Sequence, residues 1–286
     1  MSVAIVTDST ASLSPADAAR EDIVVVPLQV IIGPDVYTEG DDVTSDMIAE
    51  ALTAFVPLST SRPTPDDFLA VYERLAAEGA TAIVSVHLSA KMSGTLDSAV
   101  LASKQASVPV TCVDSTQVGI ATGFAAGRAA RVREAGGGAL AVADAARRAG
   151  AASTTLLYVD TLEYLKRGGR VGSAAALIGS ALAVKPLLTL QDGLVVPLER
   201  VRTTAKALSR LETLAVEACG ACEGGFDIGV QHLANESIAD AVSARLAAAL
   251  ERDTVPVNEV GAVIGAHVGP GMVAVTVTPH GEGTSP

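Results

Sequence analysis

Thr81-Ala82-Ile83-Val84-Ser85-Val86, followed by His87-Leu88-Ser89-Ala90-Lys91-Met92-Ser93-Gly94-Thr95, decides the fold. The first six residues form a short, nearly continuous apolar run, the mark of a strand buried on both faces. The polar stretch after it reads as a turn, and Gly94–Gln105 reads as a helix. The same unit recurs on either side. Val3–Thr7 is an apolar run ending in Asp8-Ser9-Thr10, and Ser14-Pro15 then starts a helix, with serine as the cap and proline at the first helical position. Val108–Val113 ends in Asp114-Ser115 and leads into two helices separated by Gly136-Gly137-Gly138. Between these units, Ile23–Ile32 reads as one β-branched strand. Helices are expected from Thr44-Ser45-Asp46 to about Phe55 and from Pro63-Thr64-Pro65-Asp66-Asp67 to Glu78-Gly79. Strand alternating with helix predicts a parallel sheet covered on both faces, and ligands of such sheets bind beyond the carboxyl ends of the strands. Asp8-Ser9-Thr10, His87–Thr95 and Asp114-Ser115 all fall at such ends.

The pattern changes near Gly150–Thr154, which sets the expected boundary between a Rossmann-like α/β domain, residues 1–150, and an α+β domain with an antiparallel sheet, residues 151–286. The second half reads as strand Thr155–Val159, helix Leu162–Lys166, helix Ser173–Ala181, and strands Val184–Leu190 and Leu194–Leu198. Gln191-Asp192-Gly193 joins those two strands, and Asp-Gly between apolar runs signals a hairpin. Helix Thr203–Ala218, strand Phe226–Gln231, helix Asn235–Leu250 and strands Val255–Glu259 and Met272–Thr278 follow, with a frayed tail from His280. The fold class is therefore α/β with a second α+β domain, and a ligand is expected between the two.

Composition narrows the function. The 286 residues are 49% apolar and only 3% aromatic, with no tryptophan, so nucleic-acid binding on aromatic platforms has little to work with. A net charge of -12 repels phosphate backbones and anionic membranes, which leaves at most transient membrane contact. The start of the chain has no signal-peptide pattern and the longest low-polarity run, Ala174–Val184, is too short to span a bilayer, so a cytoplasmic location is expected. An odd set of cysteines, Cys112, Cys219 and Cys222, suits a reducing compartment; the Cys219/Cys222 pair lacks a second ligand pair and reads as incidental thiols at a helix end. There is no Gly-x-x-x-x-Gly-Lys-[Ser/Thr] loop for ATP and no Gly-x-Gly-x-x-Gly after the first strand, so no cofactor is expected.

Three segments carry groups suited to one carboxylate. Gly265-Ala266-His267-Val268-Gly269-Pro270-Gly271 sets an imidazole among glycines and reads as a loop through which a ligand can approach. Thr60-Ser61-Arg62-Pro63 offers two hydroxyls, with Pro63 holding Arg62 extended. Ser93-Gly94 precedes a helix, where a hydroxyl either caps the helix or joins its N–H groups in holding an anion. Taken singly, each has a plain structural reading: a cap, loop hydroxyls, a hydrogen-bonded histidine. Lys166-Arg167-Gly168-Gly169-Arg170 reads as a helix C-terminus, but Arg170 lies beyond its glycines and is not explained by it. Arg202, after a strand, is either a second anion contact or one half of a surface ion pair.

Together these segments resemble the DegV family, which includes the fatty-acid-binding subunits of bacterial fatty acid kinase. The resemblance runs in order through Val6–Ala11, Thr60–Pro65, Ser93–Thr95, Val113–Ser115, Asp160–Arg170, Lys185-Pro186 and Gly265–Gly271. It implies a long-chain fatty acid with its tail in an apolar slot and its carboxylate held by Thr60 or Ser61, Ser93 and Gly94, and His267. It implies that Arg170 and Arg202 support an ATP-dependent kinase partner, which phosphorylates the carboxylate to an acyl phosphate. The chain itself would then be a non-catalytic carrier. Arg62 departs from the family, which more often has glutamine there; Leu96 and Thr204 depart too.

Two other functions compete. A serine hydrolase of acyl esters would use Ser93, His267 and Asp8 or Asp114 as a triad, although Ser93 lacks the usual Gly-x-Ser-x-Gly elbow. A regulatory module for another small acid would need only a short pocket.

Overall fold

The computed structural model describes residues 2–177 and 185–281. In the first half, strands β1 (Val3–Asp8), β2 (Ile23–Val26), β3 (Gln29–Ile32), β4 (Asp35–Thr38), β5 (Leu58–Ser61), β6 (Ala82–His87) and β7 (Val110–Asp114) are interleaved with helices α1 (Pro15–Arg20), α2 (Ser45–Thr53), α3 (Pro65–Ala77), α4 (Thr95–Ser103), α5 (Ile120–Glu134) and α6 (Ala139–Ala152). The second half holds β8 (Thr154–Tyr158), α7 (Glu163–Arg167), β9 (Lys185–Gln191), β10 (Leu194–Val201), α8 (Thr204–Gly220), β11 (Phe226–His232), α9 (Glu236–Ala249), β12 (Val257–Glu259), α10 (Ala262–Val268) and β13 (Val273–Pro279).

The parallel sheet has the order β2-β1-β6-β7. Its strands are mostly apolar because both faces are covered. On one face Ile5, Val84, Val86 and Val113 meet the alanines of α5 and α6; on the other Val6, Val26 and Ile83 meet Phe68, Tyr72 and Leu75 of α3 and Ala99 and Ala102 of α4. The helix starts follow their caps. Ser14 accepts from Asp17 N with Pro15 in the first turn, and Thr64 and Asp67 form a reciprocal capping box at α3.

The run Ile23–Ile32 is not one strand. Pro27 has no N–H to give to a ladder, and there the chain leaves the parallel sheet and enters a separate antiparallel sheet of order β4-β3-β5. That small sheet, with its Gly33-Pro34 turn, was not expected.

The second sheet has the order β10-β9-β8-β13-β11-β12, antiparallel except for the β11–β12 pair that α9 links. Asp192 (φ 50) and Gly193 (φ 78) make the expected tight hairpin between β9 and β10. Alternate residues serve opposite faces: Leu156 and Tyr158 pack under α8 and α9, while Leu157 and Val159 look toward the first half. Helix α6 runs on to Ala152, past the boundary expected at 150/151. The helix expected over Ser173–Ala181 is a 3-10 turn over Gly172–Leu177; the rest of that stretch, and the tail after 281, lie outside the described residues.

Gly265–Gly271 is a correction. It is not a glycine loop: its first part belongs to α10, with His267 in the last turn. Gly265 is helical and lies against Leu233 and Ile48, so there the missing side chain serves close packing rather than turning. Only Gly269 (φ +75) and Gly271 (φ +87) take the left-handed backbone that ends the helix.

Candidate functional site

A cavity of 330 Å³ opens between the parallel sheet, the small sheet and the inner face of the six-stranded sheet. Thr60, Ser61, Ser93, Gly94 and His267 all line it, and so does Arg170. Five residues read as ligand-binding from three distant segments therefore converge, and each is delivered by an element end. Thr60 and Ser61 end β5, the edge strand of the small sheet; Ser93 and Gly94 lie where the turn after β6 meets α4; His267 stands at the C-terminus of α10.

The contacts define the chemistry. Thr60 Oγ1 is 2.9 Å from His267 Nε2, a hydrogen bond across 207 positions of sequence. The other ring nitrogen, Nδ1, is buried with no hydrogen-bond partner among the described residues and faces the Cα of Gly168. A lone pair tolerates that position better than an N–H, which assigns the proton to Nε2. Nε2–H then donates to Thr60 Oγ1 and leaves the threonine hydroxyl proton free for an acceptor in the cavity. Burial, reinforced by the Arg170 guanidinium, holds the imidazole pKa down to about 4, so the ring is neutral at pH 7.

Ser93 does not cap α4. Gly94 is the N-cap, with no side-chain bond, and Ser93 Oγ sits 2.9 Å from Thr95 Oγ1 while accepting from Thr95 N. The turn bearing it is pinned by Ser89, whose carbonyl accepts from Met92 N and Ser93 N. The Ser89 hydroxyl donates to Gly193 O at 2.7 Å, which docks the tip of the β9–β10 hairpin onto the first half. Beyond the polar end the lining is aliphatic: Leu157, Leu165, Leu190, Val195, Ile264 and Val268. These residues were not singled out from sequence. Strand parity marks which of them share a face, but which face looks inward depends on α8 and α9 covering the other.

Arg170 is half-buried, with Nε donating to Met92 O at 3.0 Å and an Nη donating to Gly168 O. It belongs to the cavity wall. Arg202 does not: it is exposed at the end of β10, lines none of the cavity and forms no ion pair among the described residues. The two thiols Cys219 and Cys222 lie at the end of α8 and just past it. Cys222 Sγ donates to Ala218 O, and burial, with Cys222 beside it, pushes the Cys219 thiol up to about 11.

The triad of the hydrolase reading does not form. His267 Nε2 is committed to Thr60 and Nδ1 has no hydrogen-bond partner among the described residues; Ser93 is bonded to Thr95. Asp8 instead lies in a fully buried network. It accepts from Leu88 N and Thr10 and is 2.9 Å from His87 Nδ1, and His87 Nε2 meets Ser85 Oγ, to which Tyr72 donates. Asp114 accepts from Thr116 N and Ala90 N.

Three sheets thus place a hydroxyl–imidazole pair in a largely aliphatic cavity. The chain belongs to the DegV family: the family model described as "Uncharacterised protein, DegV family" matches residues 2–280. It is 48% identical over 282 residues to a DegV domain-containing protein of Streptomyces coelicolor, covering 96% of this chain and 98% of that one. A structure described as fatty acid binding of a DegV family protein from Thermus thermophilus superposes with a TM-score of 0.91 at 33% identity, over 98% of this chain and 100% of that one. The structure of DegV, a fatty acid binding protein from Bacillus subtilis, gives a TM-score of 0.87 at 31% identity, over 97% and 99%.

Proposed function

We propose that this protein is a non-catalytic carrier that buries a long-chain fatty acid and presents its carboxylate to an ATP-dependent kinase partner for acyl phosphate formation. The observation that carries the reading is the Thr60–His267 pair at the polar end of an otherwise aliphatic cavity. Relatives described as fatty-acid-binding share the whole fold at 31–33% identity. The head group receives hydroxyl protons from Thr60 and Ser93 and the field of Arg170, while the Ser61 hydroxyl donates to Arg62 O. Donors of this kind offset the cost of taking a carboxylate out of water. The tail supplies affinity: at about 0.8 kcal/mol per buried methylene a C16 chain offers roughly 10 kcal/mol gross, part of which ordering takes back. Among the described residues no helix is long and apolar enough to cross a membrane, and we place the carrier in the cytoplasm. The exposed Arg62 marks where the head end reaches solvent, and that is where a partner has access.

The test is direct. Mass spectrometry of protein purified from a bacterial host should find one fatty acid per chain, and delipidated protein should take up C14–C18 acids in a calorimeter. No uptake of any of them ends the proposal. Phosphorylation of the loaded acid should require an added kinase fraction and ATP; acyl phosphate formed by this chain alone would make it an enzyme.

A further inference from the structure

One cation would suffice for one carboxylate, yet the cavity has two. Arg62 and Arg170 both line it, and no Asp or Glu does, in a chain of net charge -12. Neither guanidinium has a carboxylate partner among the described residues. Arg170 is tied only to the carbonyls of Met92 and Gly168, and Arg62 makes no side-chain hydrogen bond or ion pair there. His267 adds no third charge, being neutral at pH 7.

The position of Arg62 is built into the fold. A Cβ on Gly94 would lie 1.6 Å from one Arg62 Nη and 2.7 Å from its Cζ. The backbone of Gly94 (φ -78, ψ 14) is open to any residue, so its own conformation does not call for glycine. What a side chain at 94 would remove is the seat of the guanidinium. Pro63 follows Arg62 and keeps it out of the helical region, and β5 ends immediately before it. The result is an arginine laid on the glycine that opens α4, beside Ser93, with Arg170 bonded to Met92 O on the same turn.

We infer that Arg62 is a specificity-determining residue, which with Arg170 makes this site prefer a single-chain lipid bearing a doubly charged phosphate head over the carboxylate of the same chain. Guanidinium groups bind phosphate oxygens in pairs and keep their charge at all working pH values. A carboxylate neutralises one of the two cations, whereas a phosphate neutralises both and brings more oxygens to share between them. The inference rests on the fatty-acid reading above and deepens it. The lipid in question is the acyl phosphate, which this chain would hold more tightly than its precursor.

The experiment compares delipidated full-length protein with three probes of matched chain length: a fatty acid, its non-hydrolysable acyl phosphonate, and a lysophosphatidate. Wild-type protein should bind the phosphonate at least tenfold more tightly than the acid. Arg62→Gln should collapse that ratio toward one, and Arg62→Lys should restore part of it. Raising the salt concentration should erode the phosphonate affinity more steeply than that of the acid. Equal affinity for acid and phosphonate in the wild type, or an unchanged ratio in Arg62→Gln, overturns the inference while leaving fatty-acid binding intact. Lysophosphatidate binding more tightly than the phosphonate overturns the assignment to acyl phosphate. Binding of none of the three overturns this inference and the fatty-acid reading together.

Discussion

Gly168→Ala is a one-methyl test of the head-group geometry. Gly168 sits at φ -73, ψ -8, a backbone that alanine adopts freely, so the substitution adds no local strain. Its Cβ would lie 2.1 Å from His267 Nδ1 and 2.8 Å from Cε1, more than 1 Å inside van der Waals contact. The ring cannot retreat toward Thr60, because the 2.9 Å bond there has no slack. It must rotate, and the Thr60–His267 bond is lost. Losing that bond and leaving a buried group unpaired costs about 1–3 kcal/mol, which corresponds to carboxylate affinity weakened about 5- to 150-fold. Isothermal titration of delipidated protein with palmitate reads this directly. Gly168→Ala combined with His267→Ala should bind no worse than His267→Ala alone, because the added methyl then has nothing to displace. Wild-type affinity in Gly168→Ala, or an additive loss in the double variant, would refute the placement of the ring and with it the reasoning about its proton.

The remaining predictions concern pH, closure and chain length. The folded-state pKa of His267, about 4, lies below the ordinary imidazole value of 6.5, so the unfolded chain takes up the proton first. Stability from this group is fully present above about pH 6.5 and is lost as pH falls toward 4, by at most roughly 3 kcal/mol. Denaturant melts at pH 7 and 4.5 should show that component in the wild type and not in His267→Gln; identical pH profiles would contradict it. At Gly193 (φ +78), alanine would both strain the hairpin turn and meet Ser89 Oγ at 2.4 Å. Gly193→Ala should cost about 1–2 kcal/mol and speed fatty-acid release in stopped-flow displacement, and an unchanged release rate would show that the docked hairpin does not restrain the ligand. Leu190→Phe narrows the aliphatic end of the cavity. The lipids recovered with this variant should shift to shorter chains, each excluded methylene forfeiting about 0.8 kcal/mol; an unchanged lipid profile would place the tail elsewhere.

The parallel sheet was legible because its strands are buried on both faces and show it as nearly continuous apolar runs, as in Ala82–Val86. The polar groups at their ends were legible for the same reason: Asp8, Ser93 and Asp114 have no place in the core pattern. The small sheet was not legible. Its four-residue strands include Asp35–Thr38 and Leu58–Ser61, which are half polar and carry no periodicity long enough to read. Helix α10 was misread because glycine is ambiguous. Gly265 is there for contact with Leu233 and Ile48 and Gly269 for its backbone angle, and only packing distinguishes the two. The hydroxyls and imidazole could be assigned to one ligand, but the Thr60–His267 bond could not, since it depends on the small sheet and α10 meeting. Arg170, read as a contact for a partner, lies in the cavity wall because the turn at Gly168-Gly169 folds it back toward Met92.

Leu28, Val30, Val43, Ile48 and Leu52 share one buried cluster with Ala262, Val263 and Ala266. Glu39 fastens the same junction, accepting from Val263 N at 2.7 Å and from Ser9 Oγ. The helix that carries the imidazole is thus also the plug that completes the interior of the segment 28–52. During synthesis that early portion must wait, its greasy side uncovered, until position 268 has left the ribosome. Cutting the molecule near residue 150 would yield two sticky fragments and no receptor in either. The proposed site is complete only when the segment 28–52 and the helix at 262–268 have found one another, and cargo present at that moment would help to hold them together.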